Sequence, residues 1–126
     1  MKCLHIITPV KDSIDSTLET VKAIMESDIL VPFTYTVYND FSTEENTHRL
    51  EEAARQWNFR LVNLSDLTDH PSPNYLLVLQ TAQKEAIEAD AGLLIVESDV
   101  IVKKNHIAIT ITMEHCNRSN AELQQL

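Results

Sequence analysis

The sequence predicts an α/β fold, a three-layer sandwich in which a mostly parallel sheet carries helices on both faces. Two observations predict it. Strand-like and helix-like segments alternate along the chain with short connections, the signature of a parallel sheet covered by helices. The first and fourth strand candidates, "CLHIITPV" and "GLLIV", are nearly unbroken apolar runs, as expected of strands buried on both faces.

Each element follows from local pattern. The first strand, Cys3 to Val10, closes at Pro9 and a polar cluster. Ile14, Leu18, Val21 and Met25 share one face of a helix, and Ser16 with Glu19 predicts a capping box near its start. "FTYTVY", Phe33 to Tyr38, is rich in β-branched and aromatic residues and follows Pro32, so a second strand ends at Asn39. Ser42 and Glu45 predict a second box, ahead of Leu50, Ala53, Ala54 and Trp57 at helical spacing. "FRLVNL", Phe59 to Leu64, is the third strand, and "SDLTDHPSPN" is a polar loop. Leu79, Ala82, Ala86 and Ala89 then predict a third helix with a small apolar face, before a central fourth strand over "GLLIV". "HIAITITM", His106 to Met113, alternates like an edge strand, and the remaining residues are polar with a weak helical pattern. The expected organisation is one domain over residues 1–105, with an edge strand and irregular tail over 106–126.

Composition narrows the function. A chain of 126 residues, 44% hydrophobic and 23% charged, suits a single folded, water-soluble domain. No apolar run approaches the ~20 residues of a membrane span, and "MKCLHIITPVKD" lacks the apolar core and cleavage site of a secretory signal. Cys3 and Cys116 form neither a CxxC pair nor a disulfide framework, so a cytoplasmic location is expected. A net charge of -9 with only ten Lys plus Arg argues against nucleic acid. An anionic ligand would then need a divalent cation to screen the carboxylates. The single glycine, Gly92, excludes both glycine-rich phosphate motifs, leaving a helix N-terminus, a metal or side chains to hold phosphate.

Open parallel sheets bind ligands beyond the carboxyl ends of their strands. The first strand delivers Lys11 and Asp12 there, the second Asn39, Asp40 and Ser42, the third Ser65 and Asp66, and the fourth Glu97, Ser98 and Asp99. Asp40 alone reads as a turn residue. Glu97 and Asp99, two apart in an extended segment, point to the same side, and their repulsion calls for an explanation. A hard cation supplies one, since Mg2+ and Mn2+ bind through one or two carboxylates plus waters and substrate phosphates. His106, His115 and Cys116 have a spacing that fits no common metal site.

Three segments carry a family likeness. "IITPVKDS" resembles the opening strand and turn of the family 2 glycosyltransferases, usually I-I-P-x-Y-N. "TVYNDFSTEENT" resembles their V-V-D-D-G-S-T-D-x-T segment, and "AGLLIVESDVIVKKN" resembles their strand ending in D-x-D. The resemblance covers about the first hundred residues. It implies a Rossmann-like GT-A fold, a hexosyltransferase-like activity, a nucleotide-diphosphate sugar, with a UDP-sugar as first expectation, and Mg2+ or Mn2+. By that analogy Pro9 and Val10 line the nucleoside site and Asp40 hydrogen-bonds the base. Ser42 belongs to the same donor site, Glu97 and Asp99 hold the ribose and metal-diphosphate, and Asp99 is the principal metal ligand.

The chain departs from the family pattern at Asn39 for the first acid of D-D, Phe41 for glycine, Lys11 for the aromatic residue, and Glu97 for the first acid of D-x-D. Family members continue into an acceptor-binding half with a general base. The expectation is therefore a truncated or frame-shifted remnant whose catalytic base is unknown. Two rivals stand beside the enzyme: a non-catalytic nucleotide-binding or interaction remnant, and a receiver-like phosphoacceptor domain, which needs an acid pair after the first strand where this chain has Asp12 alone. "IAITITM" is β-prone, uncharged and proline-free, which predicts a homodimer formed through an open sheet edge.

Overall fold

Four strands and three helices alternate along residues 3–98, the part of the chain that the computed structural model describes. In order these are β1 (Cys3–Val10), α1 (Ile14–Met25), β2 (Phe33–Asn39), α2 (Glu44–Trp57), β3 (Arg60–Asn63), α3 (Tyr75–Glu88) and β4 (Ala91–Ile95), with a single 3-10 turn at Leu64–Asp66 after β3. All pairings are parallel, and the sheet order is β3-β2-β1-β4. Ile6 sits in the middle, opposite Tyr35 on one side and Leu94 on the other.

That order dictates the layers. The chain steps outward from β1 to β2 to β3, so right-handed crossovers put α1 and α2 on one face; the long return to β4 beyond β1 puts α3 on the other. Alternation along β1 serves both layers. Leu4, Ile6 and Val10 pack with Val21 and Ile24 of α1 and Leu50 and Ala53 of α2, while Ile7 packs with Tyr38, Leu64, Val78 and Ala82 on the α3 side. The three-layer α/β expectation holds. The receiver-like alternative does not, because those sheets run 2-1-3-4-5 and here β3 lies beyond β2.

Local details differ from the pattern reading. Neither predicted capping box forms. Helix α1 starts one turn early, with Ser13 at its cap, so Ser16 lies inside and donates its hydroxyl to the Ser13 carbonyl at 3.3 Å. In α2 the cap is Thr43, whose Oγ1 accepts the Asn46 N–H at 3.2 Å. The buried stripe of α3 is Val78, Ala82 and Ala86, whereas Leu79 is half-buried and Ala89 exposed. Strand β4 pairs, among the described residues, with β1 alone, and Leu93 to Val96 are half-buried. The edge strand over His106–Met113, the tail, the expected dimer contact and Asp99 lie outside the described residues. No helix among the described residues is long and apolar enough to cross a membrane.

The α3 face also buries a polar group. His5 is 6% exposed; its Nδ1 lies 2.7 Å from Thr34 Oγ1 and its Nε2 lies 3.8 Å from Glu85 Oε2. Glu85 is itself claimed by a two-pronged pair with Arg60, at 2.6 and 3.0 Å. Burial pushes the His5 imidazole below its usual value, against a smaller upward pull from Glu85. The unfolded chain therefore binds this proton first, and stability is expected to fall as pH drops from about 6.5 toward the depressed folded value. Urea midpoints taken between pH 7.5 and 5 should decline for the natural chain and stay flatter for His5→Gln; equal slopes would refute the assignment.

Candidate functional site

Because every strand is parallel, all four carboxyl ends meet one rim, and the order reverses where β2 and β4 flank β1. A cavity of about 320 Å³ opens there. Pro9, Val10 and Lys11 line it from the end of β1, Asp40 from the end of β2, and Glu97 and Ser98 from beyond β4. Ser72, Pro73, Tyr75 and Val78 close it from the α3 side. A larger cavity of about 480 Å³ lies at the opposite rim beside the Arg60–Glu85 pair, away from the converging candidates.

The first two strand ends are stitched together. Asp12 and Phe41 both take left-handed backbone, each with φ of 62°. The Asp12 N–H donates to Ser42 Oγ at 2.9 Å, and Asp12 Oδ1 accepts the Thr43 N–H at 2.7 Å and Asn46 Nδ2 at 3.2 Å. Those donors, Thr43 first, hold the Asp12 carboxyl below the usual range. Lys11 donates to the Phe41 carbonyl and lies 3.6 Å from Asp12. Asn39, 3% exposed, donates to Thr47 Oγ1 and Asn63 Oδ1, both at 2.9 Å, and accepts the Ser42 N–H at 3.2 Å.

Asp40 is fixed differently. Its N–H donates to the Val10 carbonyl at 2.7 Å. Its Oδ2 accepts the Ser72 hydroxyl and the Asn74 N–H, and its Oδ1 accepts Asn74 Nδ2, each at 2.9 Å. Glu97 is exposed, and its Oε1 accepts the Tyr75 hydroxyl at 3.3 Å. Burial, and then the neighbouring Glu97 carboxylate, push that hydroxyl's pKa up.

The cavity thus brings together Pro9, Val10, Asp40 and Glu97. Ser42 stands behind it, its hydroxyl occupied by the Asp12 N–H. Ser65 and Asp66 turn away to the exposed 3-10 segment. Pattern reading missed Ser72, Asn74 and Tyr75, which sit in or just after a stretch legible only as a polar loop; the S-P-N-Y run leading straight into a helix is the signal that locates them. Among the described residues no group of three or more His, Cys, Asp or Glu is placed to hold a metal, and Glu97 offers one exposed carboxylate.

No family model matches the chain, and no curated protein does. Solved structures do. Residues 1–349 of S. aureus TarS are 22% identical with a TM-score of 0.63, over 91% of this chain and 33% of that one. The mannosyltransferase PcManGT from Pyrobaculum calidifontis, solved with GDP-Man and Mn2+, is 17% identical with a TM-score of 0.60, over 88% of this chain and 31% of that one. The fold is that of the GT-A glycosyltransferases. TarS has also been solved with UDP-GlcNAc, at 22% identity, a TM-score of 0.57 and 91% and 32% of the two chains. The chain spans about a third of the length of these GT-A structures. At such low identity the likeness speaks for the GT-A architecture alone.

Proposed function

We propose that the chain is the nucleotide-binding half of a glycosyltransferase, which takes a nucleoside-diphosphate sugar with a divalent cation and passes on the glycosyl group when an acceptor-binding half is supplied. The observation that carries this reading is the cavity at the strand-order reversal, where Pro9, Val10 and Glu97 converge. Support comes from the solved GT-A structures, which hold UDP-GlcNAc or GDP-Man with Mn2+.

The residues present suit Mg2+ or Mn2+. Such ions are held by one or two carboxylates, with waters and substrate phosphates completing the shell. Glu97 is exposed at the cavity mouth with a tyrosine hydroxyl as its hydrogen-bond partner among the described residues, and Asp99 follows two residues on. When bound, the cation would stabilise the charge of a departing nucleoside diphosphate. Pro9 and Val10 would floor the nucleoside, Lys11 would offer the one cationic side chain that lines the cavity among the described residues, Asp40 would stand beside the base, and Ser42 would hold the turn. Charge favours a cation as well, since a chain carrying -9 repels a bare diphosphate.

Calorimetric titration of the full chain with UDP and GDP, with and without Mn2+, tests this. Binding is expected with Mn2+ and much weaker binding without it; no heat in either condition would sink the donor site. A second reading is binding without transfer, since a fold by itself fixes no reaction. Binding accompanied by no hydrolysis or transfer of a UDP-sugar would favour it.

A further inference from the structure

We infer that Asp40 is a positioning residue, and that the segment it fastens, residues 72–75, forms the wall that meets the ligand's base, with the Tyr75 ring as the contact surface. This rests on the nucleotide-site reading above and assigns the residues within it.

An ionised carboxylate offers about four lone-pair directions, and three of those on Asp40 already take protein donors. The group is 8% exposed, so its remaining capacity is largely covered. Its partners all lie 32 or 34 residues further along, in one short segment. Asn74 occupies the cap position of α3 yet makes no side-chain cap bond; its amide instead donates to Asp40 Oδ1 and to the His70 carbonyl, both at 2.9 Å. The end of β2 therefore sets where α3 begins.

What the fastened segment shows the cavity is Ser72, Pro73 and Tyr75. Tyr75 is the one aromatic side chain lining it among the described residues, and it is 44% exposed. The hydroxyl bond to Glu97 holds the ring's far end. A flat base can stack on such a ring, a contact that changes affinity by about tenfold or more.

The full chain with Tyr75→Ala is expected to bind UDP about tenfold more weakly in Mn2+, with Tyr75→Phe close to the natural chain. Asp40→Asn, which replaces one acceptor by a donor facing donors, and Ser72→Ala should each weaken UDP. Their combination should lose no more than Asp40→Asn alone, and the preference for UDP over CDP should persist. Direct contact of Asp40 with the base predicts the opposite, a shift of preference toward CDP in Asp40→Asn with Ser72→Ala unaffected; that result, or an unchanged affinity in Tyr75→Ala, overturns the inference. Hydrogen exchange at the Asn74 amide, faster in Asp40→Asn and Ser72→Ala without any ligand, tests the fastening separately. Faster exchange with no UDP binding by the natural chain would overturn the nucleotide site while leaving the fastening in place; unchanged exchange overturns the fastening itself.

Discussion

Asp99→Asn in the full chain is expected to weaken Mn2+-dependent UDP binding by tenfold or more, about 1.4 kcal/mol, and to leave metal-free binding unchanged. The substitution keeps the shape of the side chain and removes its charge, which is what a hard cation requires of an oxygen ligand. Glu97→Gln should act in the same direction, because the amide oxygen can still accept the Tyr75 hydroxyl that Glu97 Oε1 accepts now. Only the charge is then lost. Paired titrations with and without Mn2+ separate the two components, and an Asp99→Asn protein with an unaltered Mn2+-dependent isotherm would refute the metal role.

Asn39→Ala should cost about 2–4 kcal/mol of stability, a fall in melting temperature on the order of 10 °C. The side chain is 3% exposed and ties the end of β2 to Asn63 in β3, to Thr47 in α2 and to the Ser42 amide. Truncation takes this partner from the Asn63 oxygen and the Ser42 amide, while the Thr47 hydroxyl keeps its bond to the Ser42 carbonyl at 3.4 Å, and orphaned polar groups cost more than the bonds themselves contribute. Asn39→Asp should be far milder. A carboxylate accepts the Ser42 N–H and the Thr47 hydroxyl, and a flip of the Asn63 amide turns its donor toward the new oxygen. Equal losses for the two variants in a thermal melt would show that the network is not what holds this corner.

How much was legible in the sequence depended on the range of the interaction. Strand β1 announced itself because burial on both faces demands an apolar run, and α2 because Leu50 and Ala53 recur at helical spacing. Caps were misread by a few residues. The S-x-x-E pattern is a local rule, and it lost to the left-handed turns at Asp12 and Phe41, which decide where each helix can begin. Asp40 and Glu97 were legible as rim residues because a parallel sheet collects its strand ends on one side, and Pro9 and Val10 through the likeness of the opening segment to the family's; all four line the cavity. Ser72 and Asn74 were not legible, since their place depends on a partner 32 or 34 residues away, nor was Tyr75, whose hydroxyl partner Glu97 lies 22 residues on. The Ser42 hydroxyl accepts an amide from the neighbouring turn, a link between two strand ends that no local pattern announces.

The glycine that the family pattern carries at position 41 has a visible reason, because Phe41 stands at a φ of 62° that glycine adopts freely. Among the described residues four non-glycine residues take this conformation, Asp12, Phe41, Asn58 and Asp90, and they divide by location. Asp12 and Phe41 lie on the rim of the strands' carboxyl ends, where a carboxylate and a half-buried ring are in use. Asn58 and Asp90 are exposed at the far ends of α2 and α3, behind the sheet's opposite edge. An engineer seeking a hardier version of this domain has room at the back that the cavity side does not offer: glycine at Asn58 relaxes the backbone out of reach of that cavity, whereas the same change at Asp12 or Phe41 trades rim chemistry for ease.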